Sequence, residues 1–171
     1  YLADLQCSGC GSMYSATKVH TFCPDCQSPL LVNYDLNAAH QHVDRDEIHV
    51  RSKGMWRWHE LLPVLETQNM VTLGEGDTAL LRLPRVGNSL GLTNLFVKDE
   101  SSNPTGSFKA RGLSAAVSKA KELGIRKVII PTAGNAGGAM AAYAARADMR
   151  AMIYMPKDTP HATIMESRIA G

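Results

Sequence analysis

The sequence predicts an α/β protein: a parallel sheet with βαβ crossovers, preceded by a small N-terminal zinc-ribbon-like segment. Three observations carry this. From Asn94 onward, short apolar runs alternate with longer stretches of helical period, which is the pattern of parallel strands joined by right-handed crossover helices. The links between them are short and rich in glycine. Ahead of this region, all four cysteines fall within residues 1–34 as two closely spaced pairs.

The cysteines are Cys7-x2-Cys10 and Cys23-x2-Cys26. Each pair can grip one metal ion from a tight turn, and Gly9, Gly11 and Pro24 suit such turns. Four thiolates in tetrahedral array make a structural zinc site, closed to substrate. Disulfides and empty paired thiols are the other readings of the same spacing. No secretory signal pattern opens the chain, so a reducing, cytoplasmic setting is expected, and there zinc is favoured over disulfides. Leu30 to Tyr34 then reads as a short strand.

Residues 35–70 read as a connector and docking segment. The first part is polar, with His40, His42, Asp44, Asp46, Glu47 and His49, and is expected to be solvated. The second part holds Trp56 and Trp58, both expected as packing anchors rather than a cofactor box.

Residues 71–171 are expected to form an incomplete α/β domain. Leu73-Gly74-Glu75-Gly76-Asp77-Thr78 is a glycine-punctuated loop for which a plain turn is a sufficient account. Asn94 to Lys98 reads as a strand. Asn103-Pro104-Thr105-Gly106 is a turn, and Ser107 is a suitable N-cap for a helix over Phe108–Leu123. Phe108, Leu113, Ala116, Val117, Ala120 and Leu123 would form its buried face, and Gly124 would end it. Lys109 then lies in the first turn. The positive end of the helix dipole disfavours an ammonium there and suits an amine that must react uncharged. A surface lysine is the plain alternative.

Lys127–Ile130 reads as a strand, Gly137–Arg146 as an alanine-rich helix, Arg150–Met155 as a strand and Ala162–Ile169 as a helix. The loop Pro131 to Gly138 follows one strand and opens one helix. Its N–H groups can hold a carboxylate or phosphate. Close helix packing would equally explain its small residues, but not Asn135. Both this loop and the lysine turn follow strands, so both are expected at one edge of the sheet, where ligands of such sheets bind.

A net charge of +2 and 20% charged residues give no ground for nucleic acid or an anionic membrane as partner. Residues 1–33 carry one lysine, Lys18, and no arginine, a poor phosphate-binding surface. No apolar run is long enough to span a membrane. The chain opens on Tyr1 and stops within a helical pattern at Gly171, so it is expected to be the first part of a longer protein.

Taken together, the stretch Asn103–Gly112, the loop Thr132–Gly138, the loop Leu73–Thr78, the cysteine pairs and Met155-Pro156-Lys157-Asp158-Thr159-Pro160 resemble the threonine synthase family. These are pyridoxal-phosphate enzymes of fold type II, related to tryptophan synthase β. The resemblance implies a lyase that converts O-phospho-L-homoserine and water to L-threonine and phosphate, with an amino-acid substrate and a homodimeric whole protein. It implies Lys109 as the Schiff-base lysine, Asn135 on the cofactor's ring hydroxyl and Phe108 against the pyridine ring. Thr132 and the backbone of Gly134, Asn135 and Ala136 would hold the substrate carboxylate. It also implies that the cofactor's phosphate cup lies beyond Gly171, so residues 1–171 alone should be inactive. Asp148 stands where a helix-ending glycine is common in the family. A phosphoserine-using β-replacement synthase or a serine/threonine dehydratase is the neighbouring alternative. A non-catalytic zinc-ribbon module is the remote one.

Overall fold

A computed structural model describes residues 1–170; Gly171 lies outside the described residues. The chain begins with an antiparallel sheet of β1 (Leu2–Cys7), β2 (Met13–Tyr14) and β3 (Leu30–Tyr34), in the order β2-β1-β3. The tight turns within it carry the cysteines. The polar connector, expected to be solvated, forms two short helices, α1 (Leu36–His42) and α2 (Arg45–Val50). Asp35 and Asp44 cap them through side-chain acceptance from Ala38 N and Asp46 N. Both helices are largely exposed, with only Ala39 buried.

The docking segment runs through a 3-10 turn at Met55–Leu61. Trp56 is the anchor here, donating its Nε1–H into the interior. Trp58, expected to do the same, is 50% exposed.

The sheet of the second half differs from the expected single parallel sheet. Phe96–Lys98 is a strand, β5, but it pairs antiparallel with β4 (Leu80–Arg82) in a sheet of its own. The intervening chain makes only a short helix, α3 (Pro84–Ser89), and turns back at Gly91 (φ 69°). The link folds straight back on itself, Leu83 N donating to Leu95 O at 2.9 Å just beyond the strands, so the pair is antiparallel. The parallel pair is β6 (Lys127–Pro131) with β7 (Arg150–Tyr154), in register from Lys127↔Arg150 to Pro131↔Tyr154.

The long helices of this half are α4 (Lys109–Glu122) and α5 (Asn135–Arg146), which pack on each other, with α6 (His161–Ile169) packed on α5. The core is built from one face of α4 and α5: Ala110, Leu113, Val117, Ala139, Met140, Tyr143 and Ala144, closed by Val71 and Met149. Val128, Ile130 and Ala151 of the parallel pair pack on it, while Ile129, Met152 and Tyr154 on the other face are exposed. Gly124 ends α4 with φ 73° in the expected role. Asp148 takes φ 54° after α5, a left-handed position that glycine would hold without strain.

The buried face of α4 keeps the expected Leu113 and Val117, with Ala120 packed on the core, but not Phe108 or Ala116. Phe108 lies outside the helix and is 57% exposed. Ser114 and Ser118 are fully buried instead. Ser118 Oγ accepts from Val71 N (2.8 Å), so the start of the α/β domain is tied to α4 by its backbone.

Candidate active site

Lys109 is the first residue of α4, so the sequence places it correctly in the first turn. Ser107 Oγ accepts from Lys109 N at 3.2 Å, as a capping hydroxyl should. The turn before it is strained: Thr105 holds φ 59°, rare for a β-branched residue. Asn103 keeps the turn in place. It is buried, its Oδ1 accepts from Gly76 N (3.0 Å), and its Nδ2 donates to Glu100 O (3.0 Å) and Oε2 (2.9 Å).

Glu100 in turn receives Arg111, two residues beyond Lys109, in a two-pronged pair: Nε to Oε2 at 2.7 Å and Nη2 to Oε1 at 2.9 Å. Thr78 Oγ1 donates to Oε1 at 2.6 Å. The Arg111 guanidinium, then Thr78, hold the Glu100 carboxyl down to about 2 against the burial that would raise it. The turn bearing Lys109 is thus braced on one side by the loop Leu73–Thr78.

Lys109 Nζ has no acceptor among the described residues and lies over the Phe108 ring, 4.5 Å from its centroid. The Asn135 side-chain amide likewise has no partner among the described residues, and it is exposed at the first position of α5. The first N–H groups of that helix, Asn135 and Ala136, have no intrahelical acceptor. Gly134 has open space where a side chain would stand. Its N–H, however, donates to Thr132 Oγ1 at 3.2 Å, so neither the Gly134 N–H nor the Thr132 hydroxyl is as free as the sequence suggested.

The two loops do not follow strands of one sheet, since β5 and β6 belong to different sheets. The helix that the second loop opens, α5, packs against the Pro104–Gly106 turn and against α4. Gly137 and Gly138 face the other way. A Cβ on Gly137 would come within 2.7 Å of Met155 Cε, and one on Gly138 within 2.3 Å of Glu166. These two glycines serve the close approach of α5 to its neighbours, one of the two accounts the sequence left open.

Glu75 escaped sequence reasoning. It is fully buried and accepts hydrogen bonds from Trp56, Thr72, Leu73, Ser114 and Tyr143. A glutamate between two glycines reads as surface; only the burial of Ser114 and Tyr143, far along the chain, reveals its place.

In the N-terminal sheet, the four cysteine sulfurs lie within 4.8 Å of one another. Cys7 and Cys26 sulfurs are 3.4 Å apart, and those of Cys10 and Cys23 are 3.6 Å apart. Sulfurs around one zinc ion would be roughly 3.8 Å apart for Zn–S bonds of about 2.3 Å, so the cluster has the dimensions of a four-thiolate metal site.

Fold and site together define a class: an α/β enzyme domain in which Lys109 opens one helix, α4, that packs against a second, α5, which Asn135 opens. The chain belongs to the pyridoxal-phosphate dependent enzyme family, whose profile matches residues 71–171. It is 36% identical over 152 residues to a threonine synthase of Methanocaldococcus jannaschii, a match covering 89% of this chain and 37% of that protein. A threonine synthase of Methanosarcina acetivorans gives 36% over 152 residues, covering 89% and 36%. One from Halalkalibacterium halodurans gives 46% over 100 residues, covering 58% and 28%. The chain thus spans little more than a third of the length of the first two of these relatives. Among the described residues no helix is long and apolar enough to cross a membrane.

Proposed function

We propose that the whole protein is a threonine synthase, converting O-phospho-L-homoserine and water to L-threonine and phosphate with pyridoxal phosphate. The observation that carries this reading is the packing of α5 against both the Pro104–Gly106 turn and α4, the helix Lys109 opens, in a chain of which the threonine synthase relatives match up to 89%.

Lys109 holds the cofactor through its ε-amine, and its lack of any competing acceptor leaves that amine available. Asn135 donates or accepts at the ring hydroxyl. Phe108 lies beside the amine and packs on the pyridine face. The substrate carboxylate is bound by the Asn135 and Ala136 N–H groups, with Thr132 fixing the loop through Gly134. When bound, pyridoxal phosphate supplies the electron sink. The Lys109 amine would also be the group placed to hold and move a proton at the substrate. The four cysteines hold one zinc ion, which folds residues 1–34 and takes no part in the reaction.

The test uses the whole protein. Borohydride should fix the cofactor on the Lys109 peptide, and phosphate should be released from O-phosphohomoserine. Label on Lys98, Lys119 or Lys121 would refute the lysine assignment. Phosphate release from O-phosphoserine instead would refute the substrate.

A further inference from the structure

The cofactor reading leaves Glu75 without a task. Its side chain is 0% exposed, and among the described residues no lysine, arginine or histidine bonds to it. Oε1 accepts from Trp56 Nε1 (2.9 Å) and Ser114 Oγ (2.6 Å). Oε2 accepts from the Tyr143 hydroxyl (2.6 Å), Leu73 N (3.0 Å) and the Thr72 hydroxyl (3.2 Å). Taking a carboxylate out of water is costly, and a site that merely needed filling would be better served by an apolar side chain. The arrangement also favours the ionised form. Burial works to raise the Glu75 carboxyl, but Ser114, Tyr143 and the Leu73 N–H hold it below its ordinary value. Burial, then Glu75, push the Tyr143 phenol up, so it stays a donor.

What this acceptor does is join elements. Ser114 lies on α4 five residues beyond Lys109, and Tyr143 lies on α5 eight residues beyond Asn135. The remaining α4–α5 contact is apolar, through Ala110, Leu113, Val117, Ala139 and Ala144, and apolar contact is non-directional. Among the described residues, only the carboxylate gives the pair directional bonds to a common point. Its own place is fixed independently, because Glu75 O accepts from Met55 N at 2.7 Å.

We propose that Glu75 is a positioning residue for the cofactor site: its carboxylate sets α4 against α5, and with it the offset between Lys109 and Asn135. This rests on the roles given above to those two residues. Together with the Glu100–Arg111 brace, it means that one loop, Leu73–Thr78, fixes Lys109 from both sides. Glutamine cannot substitute. Whichever way its amide turns, an N–H group replaces one acceptor and faces either Trp56 and Ser114 or Leu73 and Tyr143.

The experiment is a double-mutant cycle on the whole protein, Ser114→Ala with Tyr143→Phe, beside Glu75→Gln. Pyridoxal phosphate affinity is read from the absorbance of bound cofactor, and apoprotein stability from thermal melts. Each single variant should weaken cofactor binding about tenfold, and the double variant also about tenfold, because breaking either link already frees the offset. Glu75→Gln should weaken it at least as much as the double variant. The proposal is overturned if all variants bind cofactor within about twofold of wild type while melting earlier, since Glu75 would then serve stability alone. It is equally overturned if the two single effects multiply. Wild-type protein that takes no borohydride label at Lys109 would instead remove the cofactor reading, and this inference with it. The two failures are therefore distinct.

Discussion

Glu100 is the residue whose charge the site depends on most openly. It faces Arg111, Thr78 and Asn103, and its carboxyl is held down to about 2 from an ordinary 4.5. A carboxylate lowered in this way stabilises the folded state above about pH 4.5 and loses that contribution as pH falls toward 2. The melting temperature of wild type should therefore exceed that of Glu100→Gln at pH 7. The gap should narrow between pH 4.5 and 2 and vanish below. Comparing the two proteins cancels Glu75, which is lowered as well. A gap that persists undiminished at the acid end would show that the pair contributes packing rather than charge. At this scale the sequence was informative about Lys109 and Asn135, because a lysine in a first helical turn and an amide between glycines break local expectation. It was silent about Glu100, Arg111 and Glu75, since a charged residue looks the same in sequence whether water or a buried hydroxyl surrounds it.

Elements that announce themselves locally were legible: α4, α5 and the β6–β7 pair have their period, their caps and their apolar runs within the segment. β4 is three exposed residues, Leu80–Arg82, too short for any period to show. Its pairing with β5 depends on how the link between them folds back, closed by Leu83 N donating to Leu95 O, not on either strand. The loop Leu73–Thr78 was read as a turn, yet its backbone is fitted against another. Gly76 has φ 106°, and a Cβ there would stand 2.4 Å from Met55 N and 2.8 Å from Gly54 C. Those are backbone atoms and cannot swing aside. Gly76→Ala should cost about 2–4 kcal/mol in urea unfolding. Gly106→Ala, also at positive φ (64°) but with open space around it, should cost about 1 kcal/mol. Equal costs would mean that the close approach at Gly76 relaxes freely.

Across the whole molecule, the N-terminal sheet and the α4–α5 core carry different clusters, four thiols in one and apolar packing with buried hydroxyls in the other. Cys23→Ser in the zinc-loaded protein should speed amide exchange through β1–β3 and leave the core amides of residues 110–144 protected. Equal loss of protection in both would show that the sheet is integral to the core. The cysteine cluster was readable because each pair sits in its own turn. The Glu75 cluster was not, because Glu75 stands 19 residues from Trp56, 39 from Ser114 and 68 from Tyr143. That separation bears on the order in which the chain assembles. Helices and neighbouring turns form first, and contacts that close long loops reward the chain only after the entropy of closure has been lost. The Glu75 bonds belong to the late side of the folding barrier. Loosening them is expected to leave the refolding rate nearly unchanged and to quicken unfolding, so this one carboxylate governs how long the native state lasts more than how fast it is reached.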